Sequence, residues 1–226
     1  MNTVMENSSV VIIAKDFNIS IFKPMWLIKN NIFREEELNR DVLITPPAVQ
    51  IQSANFQFMV LPDRLQLTVP RQYPDAQNDI NRILGGIVMT LPHTPYTAIG
   101  FNFHYLVATE SEDSFGSWER TLFASTFINK LPEAEDHKAR FGSYLSFDIL
   151  GSRLRIDIKP TNAGNNVELL CKTWRLGQEL TRIHFNFHTD VVNMPTPSES
   201  VLEKLNKWTE AFTLSQELRD RIIKVE

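Results

Sequence analysis

The tetrapeptide Phe-Asn-Phe-His occupies residues 101–104 and returns at residues 185–188. Each copy follows a second matched segment, at 60–70 and at 149–160, in which an apolar run meets a turn, an Arg-Leu pair restarts the chain and a Pro ends it. In both tetrapeptides Phe alternates with Asn and His, the pattern of a strand with one apolar and one polar face. We therefore predict an α+β fold made of two related antiparallel β-rich units from an internal duplication.

The first predicted unit spans residues 1–108 and the second, which carries a C-terminal amphipathic helix, spans residues 118–226. The acidic, turn-rich residues 109–117 are expected to link them. Helices are predicted to cover both units, and the two units are expected to pack as one body. Whether they share one sheet stays open at this point.

The composition is that of a globular protein, with 226 residues, 42% hydrophobic residues and 15 Phe. The net charge of −4 argues against a protein that mainly grips nucleic acid. One cysteine, Cys171, excludes an internal disulfide and fits a reducing compartment. Because the sequence begins without a secretory pattern and no apolar run approaches the roughly 18 residues of a membrane span, we expect a cytoplasmic protein that does not contact the membrane.

Helical spacing is expected at residues 75–91, with Asp75 as N-cap and, at Gly85-Gly86, either close packing of the helix on a sheet or a kink. Ser200 and Glu203 match a capping box that opens the C-terminal helix, and Thr213 or Ser215 is expected to cap a second segment. A further helix is predicted at 118–131. Strands are predicted at 10–13, 17–21, 49–51, 56–60, 64–69, 99–107, 143–150, 153–159, 167–174 and 180–189.

The polar positions of the two tetrapeptide strands form a candidate site. Alternation places Asn102 and His104 on one face of their strand, and His184, Asn186 and His188 on one face of theirs. His184 and His188 lie about 13 Å apart along a strand, too far for one zinc ion, so a metal site requires His104 to meet His188. We predict no metal and no cofactor, and we take Asn102, His104, Asn186 and His188 as a candidate groove between the two units.

No catalytic signature is present: the sequence has no nucleophile elbow, no phosphate loop and no dinucleotide fingerprint. The chain is therefore expected to be non-enzymatic, although active sites assembled from distant residues leave no such motif. A basic strip is the next candidate, as a face for an anionic partner or as a solvated surface balanced by Asp157, Glu168 and Glu179. Its residues are Arg153, Arg155, Lys159, Lys172, Arg175 and Arg182.

Several short motifs resemble a sporadically distributed family of uncharacterised bacterial duplicated α+β proteins of similar length. They are Pro46-Pro47, Asp63-Arg64, Tyr73-Pro74 before a helix, Gly-Phe-Asn-Phe at 100–103, and Leu-Glu-Lys-Leu-Asn at 202–206 followed by Phe212. The chain departs at Thr68-Val69, where that family usually has Trp, and at Asn206, where it has His. The resemblance implies a duplicated fold in a bacterial cytoplasmic protein, and the family's patchy distribution is typical of accessory or conflict systems.

Three hypotheses follow for function. The leading one is a non-enzymatic binding protein, a subunit or regulator of a bacterial protein complex, with Trp26, Trp118 and Trp174 as exposed anchors of a protein interface. The second is a nucleic-acid-associated module of an accessory or defence system that uses the basic strip. The third is a small-ligand-binding protein or enzyme with its site between the two units.

Overall fold

Nine antiparallel strands of the described residues form one sheet in the order β2-β3-β4-β5-β1-β6-β9-β8-β7. The computed structural model describes residues 2–38, 42–45, 47–69, 74–108, 142–163, 171, 174 and 178–224. The strands are β1 (Asn2–Ala14), β2 (Val42–Thr45), β3 (Ala48–Gln52), β4 (Gln57–Leu61), β5 (Arg64–Val69), β6 (Tyr96–Ala108), β7 (Ser143–Ile149), β8 (Ser152–Asn162) and β9 (Glu179–Asp190).

The two predicted hairpins are confirmed. β4 and β5 join through Pro62-Asp63, and β7 and β8 join through Leu150-Gly151 rather than through Gly151-Ser152. Leu150 has φ 53° and Gly151 has φ 62°. Two consecutive positive φ angles define a type I′ turn, whose twist matches that of the flanking strands. Leu150 is therefore a non-glycine residue held in the left-handed region.

The two Phe-Asn-Phe-His tetrapeptides pair directly with each other. β6 lies antiparallel to β9 with Phe101 opposite Phe187 and Asn102 opposite Asn186. The strands of both predicted units therefore lie in one continuous sheet and not in two. β8 lies directly against β9, whereas β1 separates β5 from β6, so the two hairpins do not hold equivalent positions. The internal duplication stays a prediction.

The expectation of one or two opening strands over 10–13 and 17–21 is confirmed for the first range and wrong for the second. β1 runs from Asn2 to Ala14 and pairs with both β5 and β6, so it lies in the middle of the sheet. Ile19–Ile21 is a 3₁₀ turn, and Asn18 Oδ1 accepts a hydrogen bond from the Ser20 amide at 3.2 Å. Asn side chains favour such local bonds over a strand ladder, which explains the missed boundary.

Helix α1 is Pro24–Lys29, and the helix predicted at 75–91 is present as α2 (Ala76–Ile80), a π turn (Asn81–Gly85) and α3 (Gly86–Thr90). Asp75 stands before α2 without a side-chain capping bond. The glycine pair packs against side chains outside the sheet, because a Cβ at Gly85 would lie 3.7 Å from Leu202 and one at Gly86 3.4 Å from Ile32.

The C-terminal residues form α4 (Pro197–Leu205) and α5 (Trp208–Ile223). The capping box is wrong: Thr196 is the N-cap residue, and the Ser200 hydroxyl donates to the Thr196 carbonyl inside the first turn. The break falls at Asn206-Lys207 instead of near Thr213 or Ser215. Gln77 holds this junction, since Nε2 donates to Leu205 O at 3.0 Å and Oε1 accepts from the Thr209 amide at 3.1 Å.

The main core lies between one face of the sheet and the helices. Phe103 packs against the rings of Trp208 and Phe212, with centroid distances of 6.0 and 5.6 Å. The Tyr105 hydroxyl is hydrogen-bonded to Ser215 Oγ at 2.8 Å. The opposite face, which we call the open face, has no residue in this core. At one end it carries a second small apolar cluster that includes Leu106, Trp174 and Leu180.

Candidate interaction surfaces on the sheet

The centre of the open face is polar because small and amide side chains alternate with the buried core residues of three neighbouring strands. Ser9 of β1 lies opposite Asn102 of β6, and Asn102 lies opposite Asn186 of β9. The same pairing sets His104 opposite His184. These five residues, which we call the central cluster, lie on β1, β6 and β9, within the two tetrapeptides or next to them.

Hydrogen bonds converge on the Asn102 side chain. Its Oδ1 accepts from Asn186 Nδ2 at 2.8 Å and lies 3.1 Å from His184 Nε2. Because Oδ1 can only accept, Nε2 of His184 carries the proton. Asn102 Nδ2 donates to Ser9 Oγ at 3.4 Å. The polar groups of the cluster are thus largely engaged with one another.

The His104 and His184 rings stack with their centroids 4.1 Å apart and their planes at 6°. Burial lowers the pKa of His104 to about 4, assisted by the neighbouring charges of His184, Arg182 and Lys159. Burial likewise lowers the pKa of His184, against the opposing effect of Asp157. Both imidazoles are therefore neutral at pH 7, so the two stacked rings do not repel each other as like charges would.

The structure brings together three of the four predicted groove residues. Asn102, His104 and Asn186 belong to the central cluster, while His188 lies one step along β9, opposite Gly100, with Nε2 3.0 Å from Asp190 Oδ1. The partner that the prediction left out of the groove is His184, which alternation had already placed on the same face. The four residues lie on a sheet face rather than in a groove.

The sequence argument required His104 to meet His188 for a metal site to form. In the structure His104 lies opposite His184 instead, so that condition is not met. Within the described ranges, no three His, Cys, Asp or Glu residues come close enough to hold a metal ion. A separate shallow cleft of about 360 Å³ lies at the end of α3, where Asp16, Phe17 and His93 contribute to its lining. It contains none of the predicted site residues.

Four residues of the basic strip share the open face. Arg153, Arg155 and Lys159 lie on β8, and Lys159 stands opposite Arg182 of β9. Lys172 and Arg175 lie outside the described residues. Three of the four described members of the strip form ion pairs, since Arg153 pairs with Asp148 at 2.9 Å, Lys159 with Asp157 at 2.7 Å and Arg182 with Glu6 at 3.2 Å.

Arg155 is the one member of this described set without an ion pair to a described residue. Nucleic-acid binding depends on cations that can displace the counterions of phosphates, and paired arginines are poorer at this. The predicted aromatic anchors also differ from expectation. Trp174 is only 2% exposed, Trp26 is half-buried against Phe22 with ring centroids 5.5 Å apart, and Trp118 lies outside the described residues.

Among the described strands, the edge strand β7 has the largest number of exposed large hydrophobic side chains. Tyr144 is 62% exposed, Leu145 49% and Phe147 38%. β7 pairs with β8 on one side and, within the described residues, with no strand on the other. The sequence predicted a strand here, and the run Tyr-Leu-Ser-Phe was the available signal for an apolar edge.

Within the described part of the chain, the backbone of β7 leaves groups without a strand partner at alternate residues. Ile149 and Ser152 flank the two-residue turn, so they form a hydrogen-bonded pair and set the phase of the ladder. Counting back along β7, the amides and carbonyls of Phe147, Leu145 and Ser143 point toward β8. Those of Tyr144, Ser146 and Asp148 therefore point away from the sheet.

The opposite edge strand, β2, is a poorer template for pairing with an added strand. It has four residues, Val42–Thr45, and Pro47 follows closely. Short edge strands and nearby Pro are devices that prevent edge-to-edge pairing. Ile44 is nevertheless 48% exposed, nearly the same as Leu145, so it offers a matched control position.

No protein-family description matches the chain, and no similar protein was found either among curated proteins or among solved structures. The resemblance drawn from the short motifs therefore stays a prediction. Among the described residues, no helix has the length and apolar character needed to cross a membrane.

Proposed function

We propose that the protein is a non-enzymatic binding protein, a subunit or regulator of a protein complex, and that its interface is built on the β7 edge. The observation that carries this proposal is an edge strand of seven residues with outward backbone groups and exposed apolar side chains. Exposed, apolar edge strands are templates for another strand. Strand addition, in which an extended segment joins the sheet, is an established mode of protein recognition.

The β7 side chains suit a protein partner on both faces. Tyr144 projects on the open face beside Asp157 of β8, while Leu145 and Phe147 project on the helix side above Ile156 and Leu154. An added strand would cover apolar surface on the helix side and meet an aromatic ring on the other. Aromatic side chains at the centre of an interface contribute most of its binding energy.

The charge arrangement favours this surface over the nucleic-acid alternative. Three described cations of the basic strip are already paired with carboxylates, and only Arg155 lacks such a pair among the described residues of that face. The small-ligand alternative is also weaker, because the Asn102 side chain is hydrogen-bonded within the central cluster and the cleft at the end of α3 is not lined by it.

The test is affinity capture of the tagged chain from its host at low and high salt, followed by mass spectrometry. Leu145→Lys places a charge on the β7 edge, and Ile44→Lys is the matched control on β2. A stoichiometric protein that survives high salt, is lost with Leu145→Lys and is kept with Ile44→Lys supports the proposal. Capture that is equal in both variants, or nucleic acid released by salt in place of a protein, would overturn it.

A further inference from the structure

We infer that the strand added at β7 is β7 of a second copy of this chain, antiparallel about a two-fold axis at Ser146. This inference rests on the proposed function, because it names the occupant of the same edge. It is carried by the spacing of outward backbone groups, by the side chains that face each other and by the placement of charge.

The outward backbone groups of β7 are symmetric about Ser146. A two-fold axis there places Tyr144 of one copy opposite Asp148 of the other, and Ser146 opposite itself. In each of these pairs the amide and carbonyl of one residue face those of its partner, so about six inter-strand hydrogen bonds form. This register therefore pairs the backbone amides and carbonyls of Tyr144, Ser146 and Asp148, which form no hydrogen bonds with β8.

The side chains complement one another in the same register. On the helix side, Leu145 lies opposite Phe147 of the second copy, which joins two exposed apolar side chains. On the open face, Tyr144 lies opposite Asp148 of the second copy, whose carboxylate Arg153 holds at 2.9 Å within each chain. The two copies of Asp148 stand about 13 Å apart, so no like charges face each other.

Other registers are poorer. An axis at Leu145 or Phe147 leaves part of each β7 strand unpaired, and an axis at Asp148 places that carboxylate opposite itself, where like charges repel. The Ser146 register pairs the whole of Ser143–Ile149. It joins two nine-stranded sheets edge to edge into a single sheet that crosses the dimer.

The contact is small, which predicts a concentration-dependent dimer. Seven residues from each copy take part, compared with roughly 20 to 30 in a standard interface. We therefore expect sedimentation of the purified chain to show a monomer when dilute and a dimer when concentrated. Ser146→Pro removes an outward amide without touching the bonds to β8, and it is expected to leave a folded monomer.

Register is tested by cross-linking in a Cys171→Ser background, which removes the one native cysteine. Tyr144→Cys and Asp148→Cys chains are prepared separately and then mixed under oxidising conditions. Opposed residues of a hydrogen-bonded pair have Cα atoms about 5.5 Å apart, within disulfide range. The mixture is expected to give a covalent heterodimer, whereas each variant alone, and a mixture of Leu43→Cys with Asp148→Cys, is expected to give none.

A chain that stays monomeric up to its solubility limit and forms no mixed cross-link overturns this inference. If the outward β7 amides of such a monomer exchange slowly, another segment of the same chain covers the edge. That result likewise overturns the dimer. Capture of a different protein through β7 also overturns the inference while leaving the proposed function standing. A mixed cross-link together with host capture insensitive to Leu145→Lys would contradict the proposed function and support the dimer.

Discussion

Replacing His104 in the central cluster is expected to flatten the dependence of stability on pH. His104 is stacked on His184, and burial lowers its pKa from 6.5 to about 4. A histidine with a lowered pKa in the folded state binds its proton more readily when the chain unfolds. The stabilisation is therefore complete above about pH 6.5 and is lost as the pH falls toward 4.

The size of this effect follows from the difference between the two pKa values. A drop from 6.5 to about 4 corresponds to about 3 kcal/mol of unfolding free energy between pH 7 and pH 4, at roughly 1.4 kcal/mol for each pKa unit. Solvent at the sheet surface makes this an upper bound. His184, whose pKa is lowered by the same burial, acts in the same direction.

The assay is urea unfolding followed by circular dichroism at several pH values between 4 and 7.5. His104→Gln replaces the titrating ring with a neutral amide, so the loss of unfolding free energy on acidification should shrink by about 2 kcal/mol relative to the original chain. His93→Gln changes an exposed histidine outside the cluster and is the matched control. If the original chain and His104→Gln lose the same free energy over this range, the account of a buried neutral pair is refuted.

Three further changes are expected to alter stability, each measured by urea unfolding. Gln77→Ala removes the hydrogen bonds that join the end of α4 to the start of α5 and should lower the free energy of unfolding by about 2 kcal/mol. Asn78→Ala, at an exposed neighbouring position, should lower it little, and equal losses in the two variants would contradict the role given to Gln77. Leu150→Asn places a residue suited to positive φ before Gly151 and should stabilise by about 0.5 kcal/mol, so a loss would refute the type I′ argument. Arg82→Met removes the half-buried guanidinium that bonds Glu37, Asp79 and Ile32 O and should cost about 3 kcal/mol, whereas a neutral change would show that these contacts contribute nothing.

The local features of the fold were predictable from the sequence, because alternation and turn chemistry act over a few residues. The 60–70 and 149–160 hairpins, the tetrapeptide strands and the helix around Gly85-Gly86 all follow from such patterns. Non-local choices were not predictable. The insertion of β1 between β5 and β6 is decided by packing across the whole sheet, so spacing along the chain does not reveal it.

The candidate site shows the same limit. Alternation correctly placed Asn102, His104 and Asn186 on polar faces, but the contact between His104 and His184 depends on the register of β6 against β9. The sequence named Asp157 as one balancing carboxylate of the basic strip, and Asp157 does pair with Lys159. The pairs with Glu6 and Asp148 involve other strands, which spacing along the chain does not reveal. The run Tyr-Leu-Ser-Phe indicates an apolar strand, but the position of β7 at the edge of the sheet depends on which strands pair with it and is not visible in the run itself.

The β7 edge is tested most directly by residue-resolved hydrogen exchange of the chain, dilute and then in its bound state, either concentrated or with its captured partner. The amides of Leu145 and Phe147 point toward β8 and should be protected in both states. Those of Tyr144, Ser146 and Asp148 should exchange rapidly when the chain is dilute and slow markedly on binding. Binding that leaves these outward amides unprotected, or that slows exchange only at Asn102 and its neighbours on the open face, would contradict the account.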